Sequence, residues 1–544
     1  MLAKNSHFYV CMEDNMKVNT TARGAMLLAI SNITLKLLSA LYMPILVSIL
    51  TDDGIAIYSI GYKIFIFLFS ITSLGIQPAI TKLVIEQRLK YGYNASLKVL
   101  KISKKALIFY SGVVSFVIAL ISFPLTRVFN SEESLLTLIF LLPSIILVSI
   151  LSSYRGYLQG CEQIDTLSIS NIIEQLLNVL ISLFFAYKFM KISVELGSAG
   201  GTIGTGIGAL GGIIYIKHII NKSHRETKFS SSHCSKVNSK DKYILKKLLY
   251  YSMPFILIAS IQNISSILDM AIVRNLVHYD VNTKTATLEY YTTIINVPFA
   301  IVTALGVSIL PKIIKHFTEK NRKDLILKTT YIYKLIYIIT IPSVFGLIIL
   351  RKEIFKFVFN RTFGYEIIVY GALLLILLSI SSTQNIILQG INKFKFMIKI
   401  GILTLIIKIV LNIILVNNEK INIIGIVISS IISLFIVSIL NHLALQKYFG
   451  VKISLIKHSK IPLISSLIMS ICLSIIKYNF NNNIFYNHSS RVNSGIIIVL
   501  FILIGSIIYF FTLMLLGGIT RYDLDIISPK IYKLLPCILR KNIN

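Results

Sequence analysis

Residues Ser152–Tyr187 read SSYRGYLQGCEQIDTLSISNIIEQLLNVLISLFFAY. The pattern is the end of one apolar helix, a short polar turn, and a second helix long enough to cross a bilayer. That second helix carries Glu174 followed by Gln175. A carboxylate deep in a spanning helix costs roughly 2.5–3.5 kcal/mol on insertion scales, so its presence points to function. An echo follows at Asn385–Val416, where Leu388-Gln389-Gly390 repeats Leu158-Gln159-Gly160 and the next helix carries Lys408. Two related halves, each with an ionisable residue inside a membrane helix, form the sequence pattern of a secondary transporter.

The composition outside this stretch agrees. The chain has 544 residues, of which 55% are hydrophobic and 14% charged. Its mean hydropathy is +0.78. Apolar runs of about twenty residues recur along nearly the whole length, as a polytopic helical membrane protein requires. The formal charge of +31 does not imply nucleic acid, because the bases lie mainly in loops between apolar runs and form no nucleic-acid-binding module. The five cysteines are scattered without metal-ligand spacing, and no metal or organic cofactor is expected.

The periodicity predicts fourteen spans. Residues 1–23 are expected as a cytoplasmic N-terminus, 24–220 as a first lobe of six helices, and 221–246 as a basic cytoplasmic linker. Residues 247–446 then form a second lobe of six, 447–518 the last two helices, and 519–544 a cytoplasmic tail. Loop charge alternates: Arg88, Lys90, Lys98, Lys101, Lys104 and Lys105 fill the second connection, whereas Thr51-Asp52-Asp53-Gly54 in the first holds no base. The ninth connection breaks the alternation with Arg351, Lys352, Lys356 and Arg361. The balance places both termini in the cytoplasm.

Two motifs are set aside. Gly206-x-Gly208-x-x-Gly211 matches a dinucleotide fingerprint by letter, but no strand precedes it and it lies within a span. Its other period, Gly200, Gly204, Gly208 and Gly212, is a ridge of small residues that lets helices approach closely. Asp52-Asp53 resembles the paired acids of a membrane-embedded glycosyltransferase, yet the connection is too short to cradle an acceptor and reads as a turn and helix cap. No enzyme is expected.

The charges inside spans carry the functional reading. Lys36, Glu174 and Lys408 lie deepest and should face a water-filled cavity or one another, with Lys36 as the expected partner of Glu174. Lys82, Arg155, Asp269 and Arg274 lie nearer helix ends, where bases can snorkel. Gln77, Gln175, Gln262, Asn263, Gln384 and Gln389 add polar character to the helix faces.

A string of ordered segments resembles a known family. The segments are Arg23-Gly24-Ala25, Asp53-Gly54-Ile55-Ala56-Ile57-Tyr58, Gly75-Ile76-Gln77-Pro78-Ala79-Ile80-Thr81-Lys82-Leu83-Val84, Tyr154-Arg155-Gly156-Tyr157-Leu158-Gln159-Gly160, Ile173-Glu174-Gln175, Ile267-Leu268-Asp269, Leu388-Gln389-Gly390 and Leu516-Gly517-Gly518-Ile519-Thr520-Arg521. They are similar to the stage V sporulation protein B branch of the polysaccharide-biosynthesis family. That branch is related to the MurJ-type lipid II flippases within the multidrug/oligosaccharidyl-lipid/polysaccharide exporter superfamily. The resemblance implies a MATE-like fold: two pseudo-symmetric lobes around a cavity that opens alternately to each side, with two further C-terminal helices. It implies that cavity bases hold a pyrophosphate-sugar headgroup while the polyprenyl tail stays in lipid. The sequence departs from the family at Met43 and Asn178, where the family carries Arg. Lys36 and Lys82 match family bases, and Arg155, Arg274 and Lys408 are retained.

The expected function is therefore a flippase-type transporter in the bacterial cytoplasmic membrane, moving a lipid-linked cell-wall or polysaccharide precursor, with a role in sporulation open. Lys36, Lys82, Arg155, Arg274 and Lys408 are the expected headgroup bases. Glu174 and Asp269 are the expected cavity acids, and Gln77, Gln175, Gln262, Gln384 and Gln389 the polar lining. The expected partners are an undecaprenyl-pyrophosphate-linked sugar, the bilayer and cell-wall synthesis proteins, with a monomeric chain. Coupling would come from a Na⁺ or H⁺ gradient or the membrane potential, since no Walker-type phosphate loop is present. A cation-coupled multidrug exporter would have a more aromatic and acidic cavity, and a membrane scaffold would need no cavity cations.

Overall fold

The computed structural model describes residues 35, 38, 39, 41–228, 241–481 and 491–520. The expected N-terminal segment 1–23, most of the first span including Lys36, and the tail beyond residue 520 lie outside the described residues. Everything regular within them is helical. Thirteen helical runs among the described residues are long and apolar enough to cross a membrane. The first, Leu41–Tyr91, has 51 residues, or about 76 Å at 1.5 Å per residue, more than twice a hydrocarbon core of ~30 Å. Thr51, with φ of 62°, breaks it where the first connection was expected. The run thus holds the end of the first expected span and the whole of the second.

The helices are α1 (residues 41–69), α2 (Gln77–Tyr91), α3 (Tyr93–Val128), α4 (Leu135–Gly160), α5 (Ile164–Met190), α6 (Val194–Lys228), α7 (Asp241–Leu276) and α8 (Val281–Thr318). They continue as α9 (Arg322–Ile349), α10 (Arg351–Phe359), α11 (Ile367–Gly390), α12 (Phe394–Val416), α13 (Ile424–Phe449), α14 (Lys460–Asn481) and α15 (Arg491–Leu515). A π-helical turn, Ser70–Leu74, joins α1 to α2. Of the polar segment read as a linker, α6 takes the residues up to Lys228 and α7 those from Asp241, so the helices run on past their apolar portions.

The chain divides into two compact units, Met1–Ala286 and Thr287–Asn544. In the first, α5 packs along α6, α4 packs against α6 and α3, and α2 lies on α4 and α7. The glycine ridge of α6 explains the closest of these contacts. A Cβ on Gly200 would come within 2.7 Å of the Phe185 carbonyl, and one on Gly208 within 2.5 Å of the Glu174 carbonyl. One on Gly204 would collide with the Asn178 carbonyl and Ser182. The ridge thus fixes α5, and with it Glu174, against α6.

In the second unit α11 packs on α13 and α9, and α12 on α13. The internal echo is visible in the backbone. In the turn after α4, Gln163 N donates to Leu158 O at 2.9 Å, and after α11 Lys393 N donates to Leu388 O at 2.9 Å. Glu162 and Asn392 each adopt left-handed φ, 62° and 58°, so both helices end in the same capped turn. Gly160 and Gly390 close each helix where a Cβ would strike a neighbour: Val84 Cγ1 at 2.6 Å in one unit, Ile314 Cδ1 at 2.8 Å in the other.

The last two helices brace α9 and the short α10. Pro342 within α9 cannot donate to the carbonyl four residues back, Ile338. The Tyr509 hydroxyl of α15 donates to that carbonyl at 2.9 Å. Lys477 of α14 donates to Ile349 O at the end of α9 and pairs with Glu353 of α10 at 2.9 Å. Arg491 caps the far end of α10 through Phe357 O and Val358 O. The ninth connection is therefore an ordered amphipathic helix, with Phe355 and Phe359 buried beside Tyr290.

Candidate functional site

The candidate site lies within the first unit, where α2 crosses α4. The crossing is close because α4 offers glycine one turn apart: a Cβ on Gly156 would sit 2.9 Å from Gln77 O, and one on Gly160 2.9 Å from Thr81 O. At the π-helical turn, Gly75 admits α7 in the same way, with Ile256 2.5 Å from where its Cβ would be. The family-like segment Gly75–Val84 is thus the face that α4 and α7 grip.

An open groove of about 290 Å³ lies at this crossing, lined by Pro78, Thr81, Lys82, Ile85 and Gln159. Gln159 Oε1 accepts from Gln77 Nε2 at 3.4 Å and from Thr81 Oγ1 at 3.4 Å. Lys82 is exposed, and its ammonium stands 4.2 Å from the centre of the Tyr251 ring on α7. One turn back along α4, on the face that carries Gln159, is Arg155. Its Nη2 pairs with Glu174 Oε2 of α5 at 2.5 Å and lies 3.5 Å from Ser170 O. The two side chains are 15% and 22% exposed. Arg155 Nε is buried and has no hydrogen-bond partner among the described residues. Gln175, beside Glu174, donates to Ser39 Oγ at 3.2 Å.

A second polar cluster borders the groove. Glu86, one turn beyond Lys82 on α2, pairs closely with Lys247 of α7 and accepts from the Tyr251 hydroxyl at 3.2 Å. Lys98 pairs with Asp241 at 2.8 Å. These contacts hold the first turns of α7 to α2 and α3.

The expected site residues therefore part company. Gln77, Lys82, Arg155, Glu174 and Gln175 lie in the first unit, where Arg155 is the partner seen for Glu174; the expected partner, Lys36, lies outside the described residues. Arg274 does not join them. It is 7% exposed, and its guanidinium donates to Phe129 O, Asn130 O and Asn282 Oδ1 at 2.7–3.1 Å. Its donors cap the end of α3. Gln384, expected in the polar lining, is fully buried in the second unit and donates to Ser438 O at 3.1 Å, so it acts as packing between α11 and α13. Gln262 is exposed on α7, and Asp269 is half-buried there. Lys408 and Gln389 are half-buried in the second unit. Tyr251 had no marker in the sequence, since its role depends on where α7 crosses α2. Thr81 and Gln159 stand inside the family-like segments, where the sequence alone assigns them no role.

These helices define a class: an all-helical, multi-pass membrane protein with the MATE-like fold. Within it the chain belongs to the polysaccharide biosynthesis protein family, whose model matches residues 21–317. It is similar to the lipid II flippase MurJ of Bacillus subtilis (strain 168), with 21% identity over 525 residues, covering 92% of this chain and 96% of that protein. It is also similar to stage V sporulation protein B of the same organism, with 19% identity over 456 residues, 81% of this chain and 86% of the other. Among solved structures, a lipid II flippase MurJ in an inward closed conformation superposes with a TM-score of 0.67 at 17% identity, over 92% of this chain and all of that one. An inward-facing MATE family multidrug resistance transporter gives 0.60 at 15% identity, over 78% and 99%. At these identities the superpositions speak for the fold.

Proposed function

We propose that this protein is a flippase-type secondary transporter that moves a lipid-linked cell-wall or polysaccharide precursor across the cytoplasmic membrane by alternating access. The headgroup would be a pyrophosphate-linked sugar on a polyprenyl carrier such as undecaprenol. Family membership and the flippase relatives that span nearly the whole chain support the class. The observation that carries the reading is a cation on each of two crossing helices: Lys82 of α2, exposed in the groove, and Arg155 of α4, one turn from the groove residue Gln159, with a buried Nε that has no partner among the described residues. A pyrophosphate is bound best by charge-assisted hydrogen bonds of this kind. Thr81, Gln77 and Gln159 supply neutral donors and acceptors for sugar hydroxyls.

No nucleotide-binding signature offers another source of energy, so the driving force is a Na⁺ or H⁺ gradient or the membrane potential, acting by binding the two access states unequally. The basic end of the first unit faces the cytoplasm in this reading.

The test is translocation of a lipid-linked precursor in bacterial cells depleted of their own flippases. The wild-type chain is expected to restore translocation. Lys82→Ala and Arg155→Ala, at matched protein levels, should each reduce it at least about tenfold, the loss of roughly one charge-assisted contact. Full activity in both variants would remove the groove from the transport route.

A further inference from the structure

The contact between Arg155 and Glu174 is incomplete as an ion pair. A guanidinium has five N–H donors in a planar fork that suits two-pronged binding of an oxyanion. Here a single nitrogen, Nη2, meets a single carboxylate oxygen, Oε2, at 2.5 Å. The Nε–H is buried and has no acceptor among the described residues. Among the described residues, the other acceptor near Nη2 is Ser170 O, at the long distance of 3.5 Å. Both side chains keep some exposure, 15% and 22%, so the pair can be reached from outside the helix packing.

Glu174 cannot follow Arg155 far. Gly208 of α6 is packed against its backbone carbonyl, with room for no Cβ between them. The carboxylate thus swings only about its own side-chain torsions, while α5 stays in place. Arg155 is freer at its tip, since its Nε has no partner among the described residues. It shares a face of α4 with Gln159, which lines the groove beside Lys82.

We infer that Glu174 is a built-in stand-in for the substrate's phosphate: it holds Arg155 in the empty protein, is displaced when a pyrophosphate headgroup takes the guanidinium, and returns to expel the headgroup on the far side. This rests on the proposed headgroup role of the groove. The exchange is favourable on entry because a phosphate can engage Nε and Nη2 together, whereas the carboxylate engages Nη2 alone. It is reversible because Glu174 remains tethered one side-chain length away and competes at every moment. Glu174 is then a positioning residue that sets how tightly the headgroup is held, and hence how fast it leaves. Tight binding in both access states would stall the cycle.

The experiment uses the full chain in nanodiscs with farnesyl pyrophosphate as the probe, reading equilibrium Kd and dissociation rate. Glu174→Gln keeps the shape and removes the competing charge. It should bind the probe roughly tenfold more tightly, with the gain in the dissociation rate, and should slow turnover in the precursor translocation assay. A general loss of negative charge would also favour an anionic probe, so the decisive arm is the cycle with Arg155→Gln, which keeps a neutral side chain of similar length. If Glu174 acts through Arg155, Glu174→Gln has no further effect once Arg155 is Gln. Equal tightening in both backgrounds, or none in either, overturns the inference while the groove still binds the probe. If Arg155→Gln and Lys82→Ala leave probe affinity unchanged, the headgroup reading of the groove itself fails. The double variant, which carries no unpaired charge, guards against a fold defect in the single ones.

Discussion

The guanidinium of Arg274 reaches two backbone carbonyls at the end of α3 and the amide of Asn282. Asn282 in turn donates to Asp53 Oδ1 at 2.9 Å, so one buried cation ties three helix connections at the same end of the first unit. Replacing Arg274 with Ala should destabilise the protein by about 1.5–3 kcal/mol, because the carbonyls of Phe129 and Asn130 lose a charged donor. Thermal unfolding in nanodiscs should show the loss, while the folded fraction keeps its affinity for a prenyl pyrophosphate. A large loss of affinity at unchanged stability would return Arg274 to the headgroup site. Sequence makes Arg274 and Arg155 look alike: both are bases toward the end of a span. What separates them is which acceptors other helices bring, and that information is not local. Glu174, in contrast, was legible, because a lone carboxylate amid Ile, Leu and Asn has few reasons to be in a membrane helix. Its partner was not. Arg155 meets it only because α5 doubles back after a three-residue turn, and the expected partner, Lys36, lies outside the described residues.

Among the elements, α6 was read most fully from its letters. Its glycine spacing of four predicted a packing ridge, and the carbonyls of Phe185, Asn178 and Glu174 lie against that ridge in order. Gly208→Ala should therefore cost about 1–3 kcal/mol, as overpacking does. It should also push α5 outward at Glu174 and weaken transport beyond the effect on folding. Gly112 in α3 is the control: nothing lies within 4 Å of the Cβ it would gain, so Gly112→Ala should be neutral or stabilising by up to about 1 kcal/mol. Unfolding midpoints of the two variants decide the matter, and equal effects would mean that the ridge is not a close contact. α10 was legible only as an anomaly, a basic connection where alternation called for a neutral one. Nine residues give too few turns for a helical period to stand out, and its caps come from Lys477 and Arg491, more than a hundred residues away. The resemblance implies the last two helices only as two further C-terminal helices. Tyr509, filling the carbonyl left open by Pro342, makes them part of the packing of α9 instead.

For the whole molecule, the hydropathy was enough to predict a multi-pass helical membrane protein, because spans are encoded by composition; the division between compact units was not, since it falls at Ala286/Thr287 and places α7, expected to open the second lobe, in the first unit. Its direction in the membrane is a prediction from charge. One end of the first unit gathers Arg88, Lys98 and Lys247, joined there by contacts of Arg88 with Cys161 O, Lys98 with Asp241, and Lys247 with Glu86. The opposite end gathers Asp53, Arg274 with its α3 carbonyls, and Ser198, which donates to Gly54 O at 2.9 Å. Glu132 and Glu133 lie exposed beside those carbonyls. Bases resist translocation during insertion, so the first end should face the cytoplasm. In a chain whose own cysteines are replaced, Glu133→Cys should react with a membrane-impermeant maleimide in intact cells, and Lys101→Cys, exposed on the first turns of α3, only after permeabilisation. The reverse labelling would invert the first unit and make the groove at Lys82 open from the outside, which a transporter loading precursors made in the cytoplasm cannot use as its entrance.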